Sequence, residues 1–154
     1  MAIRSVALAG MVSDTSLYNI DGACVVGGAA PIPAGTVVKF TTAQSVDGHK
    51  IVEATGLTTG NSLGVVVRSH YETPDGAARV KEAVNVMTHG RIWVRTDISV
   101  ATDVVFGAPV KVSATGIVHK EGAVETGWTF AGGFIPGAKS ADADGLVEVQ
   151  VKQK

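Results

Sequence analysis

Short apolar runs, each broken after a few residues by Gly, Pro or polar residues, repeat along most of the chain. The last run shows the pattern best, because Val147, Val149 and Val151 alternate with polar residues and would share one face of a strand. Residues 63–69 form another strong run. We count about eight to ten such strands and no segment with a clear helical period. The pattern predicts an all-β, single-domain antiparallel β-sandwich or barrel.

Two pairs of these runs are close enough to predict hairpins. In the first pair, residues 83–87 lead through a turn at residues 88–90 into a second strand that begins at Arg91. In the second pair, residues 109–113 and 116–119 are joined by a two-residue turn. The first hairpin is the more prominent local signal, since a short Gly-containing segment separates two apolar runs.

The strand that follows the first predicted turn has an unusual polar face. Ile92 and Val94 would point one way, and Arg91, Trp93 and Arg95 the other. Trp and Arg are the residue types that most often anchor protein interfaces, so this face is a candidate partner-binding surface. The alternative is that a neighbouring loop covers Trp93 and that the two Arg are solvated flanks.

The first 33 residues show the least periodicity. This segment is either a first strand with a long loop or an arm that packs on something outside the domain. We predict an irregular N-terminal arm and loop over residues 1–33 and a β domain over residues 34–154. The apolar residues of the arm join Arg91, Trp93 and Arg95 as candidates for an interface with a partner or a second subunit: Ile3, Val6, Leu8, Leu17, Tyr18 and Ile20.

Composition and charge narrow the classes of partner. The sequence has 19 Gly and is 45% hydrophobic but only 5% aromatic, which favours short strands and tight turns over long helices. The formal net charge is -1 and no run gathers Lys and Arg, so neither nucleic acid nor a membrane is an expected partner. No apolar run is long enough to span a bilayer, and we expect a soluble protein made without export.

Residues that could carry chemistry are scattered. The four His are far apart in sequence and Cys24 is the single cysteine, so we predict no metal site, no cofactor and no disulfide. Ser62 lies in a Gly-x-Ser-x-Gly match, but a loop precedes it and a Val-rich strand follows, which is the wrong context for a nucleophile elbow. We therefore predict no catalytic residue and no enzyme activity.

The order of the pieces resembles the structural cement proteins of tailed bacteriophages, the small capsid decoration subunits. The resemblance covers roughly residues 34 to 152 and is most specific in the Gly-Arg-Ile-Trp-Val segment at residues 90–94 and in the closing Gly-Leu-Val strand at residues 145–151. The other matching pieces are residues 34–38, 63–70, 83–87 and 107–112, followed by a turn at Gly116.

This resemblance implies a structural protein of the virion with a jelly-roll or related β-barrel fold. Proteins of this family attach to the outer capsid surface, bridge major capsid protein subunits and hold the shell against the pressure of packaged DNA. It also implies a homo-oligomer, dimer or trimer, that is synthesised in the host bacterial cytoplasm. From the residues alone, a small β-sandwich carbohydrate-binding module remains open as an alternative, with Trp93 and Trp128 as stacking platforms.

Overall fold

The computed structural model describes residues 7–41, 48–69, 76–137 and 144–152. These residues form strands and connecting loops, with one short 3-10 turn at Ala101–Asp103. The strands are β1 (Val12–Val26), β2 (Ile32–Pro33), β3 (Val37–Phe40), β4 (Lys50–Glu53), β5 (Leu63–Val66), β6 (Ala77–Ala78), β7 (Ala83–Thr96), β8 (Pro109–Val112), β9 (Val124–Ile135) and β10 (Gly145–Val151). The prediction of an all-β fold is confirmed. Within the described residues, no helix has the length and apolar character needed to cross a membrane.

Eight strands form one sheet in the order β1-β4-β3-β5-β7-β10-β9-β8, and β2 pairs with β6 apart from it. An additional pairing of β1 with β7 closes β1, β4, β3, β5 and β7 into a ring, so this part of the sheet is a small barrel. The pairings within the sheet are antiparallel except that β1 runs parallel to β4. A jelly-roll connectivity stays a prediction.

The other end of the sheet also curls back on itself. The segment after β8 returns to β3, where the Val37 amide donates to the Gly116 carbonyl over 2.8 Å. The next residues reach β7, because the Val118 amide donates to the Arg95 carbonyl over 3.0 Å. Gly116 is required at this contact, since a Cβ there would lie 2.1 Å from the Val37 carbonyl oxygen.

Two apolar cores lie on opposite faces of the shared strands. Val37 and Val65 belong to the larger core, whereas their neighbours Val38 and Val66 belong to the core that fills the five-stranded ring. Both faces of β3 and β5 are therefore buried, which explains their unbroken valine pairs. The ring core draws on all five strands: Cys24, Val26, Val38, Val52, Val66, Val84 and Val86, with Ile32 of β2.

The predicted hairpin at residues 83–95 is wrong. Residues 88–90 continue the strand without turning, so β7 runs unbroken for 14 residues. Gly90 has a φ of +125° inside the strand and marks a close approach of β1, the other common reason for a glycine between apolar runs. The second predicted hairpin does turn, because the Ser113 amide donates to the Ile117 carbonyl over 2.8 Å.

The predicted irregular arm is corrected in one respect. Within residues 1–33, Val12–Val26 form β1, which pairs with β7 and with β4. Several register shifts interrupt its pairing with β7. Because such shifts break the alternation of buried and exposed side chains, the sequence of β1 lacks the period-two pattern of a regular strand. The proposed boundary between residues 33 and 34 stays a prediction.

Candidate binding surface

Trp93 lies on the outer face of β7, but the chain itself covers it. The Gly10 amide donates to the Trp93 carbonyl over 2.8 Å, and the Trp93 amide donates to the Met11 carbonyl over 3.0 Å. The ring packs with Ala7 and Ala9 in a small third core, and only 8% of the residue is exposed. In this structure Trp93 therefore holds the N-terminal segment on the sheet and is not a surface anchor.

The two Arg that flank Trp93 have different surroundings. Arg95 is largely buried: its Nε donates to the Ala34 carbonyl over 3.0 Å, and its Nη1 pairs with Asp144. Arg91 is half-buried, and its Nε donates to Gln150 Oε1 over 3.1 Å. Arg95 is thus committed to contacts within the chain, whereas the end of Arg91 lines an open groove.

The most exposed apolar side chain of the outer face comes from a bulge in β1. Asp14 is the partner of Arg91 and Asn19 is the partner of His89, so residues 15–18 of β1 stand opposite the single Gly90. The extra residues leave the sheet, and Leu17 is 72% exposed and Tyr18 47% exposed.

Contacts at both ends of the bulge fix its position. At one end, Asp14 Oδ1 accepts a hydrogen bond from the Ser16 amide over 2.8 Å, and at the other Asn19 Nδ2 donates to Thr88 Oγ1 over 2.7 Å. Hydrogen bonding from Ser16, with help from Arg91, lowers the pKa of Asp14. The Asp14 carboxylate is therefore charged at neutral pH and bound to its own loop.

The base of the bulge rests on Gly90. A Cβ at this position would lie 2.8 Å from Tyr18 Cβ and 3.2 Å from the Leu17 carbonyl oxygen. Only glycine leaves room for β1 to cross β7 this closely, and only glycine adopts a φ of +125° without strain.

The structure brings together some predicted interface residues and separates others. One groove is lined by Leu17 and Arg91, and Tyr18 lies beside it. The other two residues of the β7 face, Trp93 and Arg95, are largely buried by contacts within the chain. Among the other arm residues, Leu8 is half-buried, Ile20 packs against the larger core, and Ile3 and Val6 lie outside the described residues.

Sequence reasoning missed a second exposed apolar group. Val100, Val105 and Phe106 lie on the loop around the 3-10 turn, and Phe106 is 68% exposed. The signal was present as three consecutive apolar residues at 104–106, directly after Asp103 and before Gly107, in a segment without strand alternation. An apolar run in a loop that neither alternates nor enters a strand indicates either core or contact surface.

The side chains that could support other functions are placed unfavourably for them. Trp128 is 2% exposed in the larger core and Trp93 lies in another core, so the two do not form the exposed stacking surface that a carbohydrate-binding module would need. Burial raises the pKa of the Cys24 thiol to about 12, so this group is not a nucleophile at neutral pH. Within the described residues, no three His, Cys, Asp or Glu side chains are grouped as metal ligands.

Comparison with known proteins gives two matches and one negative result. The model of the family described as structural cement protein (E217 gp24/Pam3 gp6) matches residues 2–152. A chain of the solved capsid of Myoviridae phage XM1 has a similar fold, with a TM-score of 0.65, 17% identity, and coverage of 99% of this chain and 98% of that chain. None of the curated proteins matches. Because the family model spans nearly the whole chain, this protein belongs to the structural cement protein family of phages.

Proposed function

We propose that this protein is a capsid decoration protein without enzymatic activity. It binds the outer surface of an icosahedral phage capsid, bridges major capsid protein subunits and stabilises the shell. The observation that carries this proposal is the match of the structural cement family over residues 2–152. The similar fold of a chain from a phage capsid supports it.

The β1 bulge is the proposed first contact with the shell. Leu17 and Tyr18 are exposed on a segment whose two ends are tied down by Asp14 and by Asn19. A fixed loop loses little conformational entropy on binding, so apolar side chains held in this way are efficient anchors. This assigns to Leu17 and Tyr18 the role that the sequence pattern suggested for Trp93.

The loop around the 3-10 turn is the proposed second contact, which bridging requires. Lys120 pairs with Asp103 over 2.9 Å, and the Gly107 amide donates to the Phe130 carbonyl over 2.8 Å. These contacts hold Phe106 outward on a defined loop. Two separate apolar surfaces on one rigid sheet allow one copy to contact two neighbouring capsid subunits.

Each contact surface is small, which agrees with binding to a symmetric shell. An exposed apolar group of this kind covers a few hundred Å², whereas a stable interface buries about 800 Å² on each partner. When a copy is bound through one contact, its second contact is held close to the neighbouring capsid subunit at a high effective concentration. Two weak contacts together therefore bind the shell more tightly than either one alone. We propose that copies also associate as a dimer or trimer around a symmetry axis of the shell.

Binding to purified expanded capsids that lack the protein tests this function. Wild-type protein should co-sediment at a saturable ratio compatible with the capsid symmetry, and light scattering should give the mass of the free protein. Leu17→Asp should lower the occupancy. Bound wild-type protein should raise the temperature at which the capsids break. Phe106→Asp should still bind in part but should not raise this temperature.

The matched control is Ala29→Asp, which adds the same charge at an exposed position away from both surfaces. It should bind as the wild type does. If the wild type fails to sediment with the capsids of its own phage, the proposed function is wrong. Equal occupancy of Leu17→Asp and wild type would instead remove the bulge from the contact.

A further inference from the structure

The β1 bulge leaves an open groove between itself and the outer face of β7 and β10, with a volume of about 380 Å³. The groove combines an apolar wall with several polar and charged groups. Its lining residues are Asp14, Ser16, Leu17, His89, Arg91, Gln150 and Lys152.

Arg91 lies in the groove, and only the Nε of its guanidinium is hydrogen-bonded within the described part of the chain. Its Nε donates to Gln150 Oε1 over 3.1 Å, which fixes the plane of the group. Gln150 in turn donates through Nε2 to the Val151 carbonyl over 3.4 Å. In the described part of the chain, no acceptor is hydrogen-bonded to Nη1 or Nη2 of Arg91. A guanidinium fixed in this way matches the two oxygens of a carboxylate.

Lys152 adds a second cation to the lining of the groove. Its backbone carbonyl accepts a hydrogen bond from Nε1 of the buried Trp128 over 3.1 Å, so the main chain at this point is fixed. The Lys152 residue itself is exposed. The lysine side chain is flexible, so its ammonium can adjust its position to reach an anion bound in the groove.

Asp14 only partly offsets these two cations. Its carboxylate accepts the hydrogen bond from the Ser16 amide, and this bond keeps it within its own loop. The groove therefore has a surplus of positive charge beside an exposed leucine. An acidic group next to an apolar residue is the complementary ligand.

We propose that this groove binds the carboxylate of an Asp or Glu side chain on an exposed loop of the major capsid protein. Arg91 binds the two carboxylate oxygens, Lys152 adds a second charge, and Leu17 covers the apolar residue beside the acid. This inference rests on the proposed function and adds the chemistry of the partner at the first contact.

Titration of capsids with Arg91→Gln protein tests the inference. Losing the charged hydrogen bonds should weaken binding about tenfold to a hundredfold and reduce its dependence on salt. Arg91→Lys keeps the charge but loses the planar pair of guanidinium donors, so its affinity for capsids should lie between those of the wild type and Arg91→Gln. Arg79→Gln removes the same group from an exposed position on another loop and should bind as the wild type does. Thermal unfolding of each variant checks that the fold is intact.

A carbodiimide cross-link gives an independent readout. This reagent joins a carboxylate to the Lys152 amine as an amide only when the two groups are in contact, and mass spectrometry then identifies the acidic residue of the capsid protein. A linked Asp or Glu of the capsid protein is the expected result. If wild type binds capsids but Arg91→Gln binds equally well with the same salt dependence, the carboxylate contact is wrong while the cement function stands. If the wild type does not bind, both fail.

Discussion

Two neighbouring parts of the outer face of β7 differ in how closely the N-terminal segment covers them. Around Trp93, residues 7–11 lie flat on the strand and bury the ring, whereas around Gly90 and Arg91 the covering strand β1 bulges away and exposes Leu17 and Tyr18. Both parts are crossed by the same N-terminal segment, so the difference lies in its register. A covering segment in regular register stabilises the sheet, and the extra residues of a bulge provide side chains for a partner.

Removing the buried ring should have the largest effect on stability. Trp93→Ala should lower the free energy of unfolding by about 3–5 kcal/mol, because the cavity left under Ala7 and Ala9 cannot be filled. Urea denaturation followed by far-UV circular dichroism measures it. A loss as small as that of Leu17→Ala would mean that the N-terminal segment does not cover Trp93 in solution.

A side chain at the crossing point should have the next largest effect. Gly90→Ala should lower the free energy of unfolding by about 1–3 kcal/mol, because the new Cβ meets Tyr18 and the backbone φ of +125° is strained for alanine. Gly127→Ala is the control in another strand, with a φ of +75° and no heavy atom within 4 Å of the new Cβ. Equal losses in the two variants would show that β1 does not approach Gly90 closely.

The ion pair beyond the bulge should have a smaller effect that depends on pH. Asp21 pairs with Lys50 over 2.7 Å, and this bond is the main cause of its lowered pKa. A lowered pKa in the folded state means that the contribution is present above the unfolded value near 3.8 and is lost as the pH falls through the folded value.

Asp21→Asn should therefore cost less than about 1 kcal/mol at pH 7, since the pair is partly exposed. The difference from wild type should shrink below about pH 4. Urea denaturation at a series of pH values measures both, and Glu125→Gln, another exposed carboxylate, shows the effect of losing one negative charge elsewhere. A difference that does not depend on pH would show that the pair does not hold β1 at this end.

The exposed end of the bulge should have the smallest effect on stability. Leu17→Ala should change the free energy of unfolding by less than about 0.5 kcal/mol, because the side chain is mostly in solvent. The same variant should lower capsid occupancy in the sedimentation assay. A clear loss of stability without a loss of binding would reverse the roles assigned to the two parts of the outer face.

The sequence predicted individual strands well where a short apolar run, either unbroken or alternating with polar residues, lies between turn residues. The alternation at Val147, Val149 and Val151 and the strong run at residues 63–69 correspond to β10 and β5. It failed at Gly90, because a glycine between apolar runs fits a turn and a strand crossing equally well. Among the interface residues predicted from the sequence, Leu17 and Tyr18 are exposed and Arg91 is half-buried, whereas Trp93 and Arg95 are largely covered. Phe106, which is exposed, was not among them, and the role of all these residues in binding stays a prediction.

The sequence by itself determined that this chain is all-β and resembles phage cement proteins, because side-chain alternation and glycine spacing are local properties. Only the tertiary structure decided which aromatic residues face solvent. Whether Trp93 or Tyr18 is exposed depends on how a segment from the N-terminus lies across β7, more than 70 residues later in the chain. Local pattern has no information on such distant pairing, since register between strands is fixed by packing in the folded molecule.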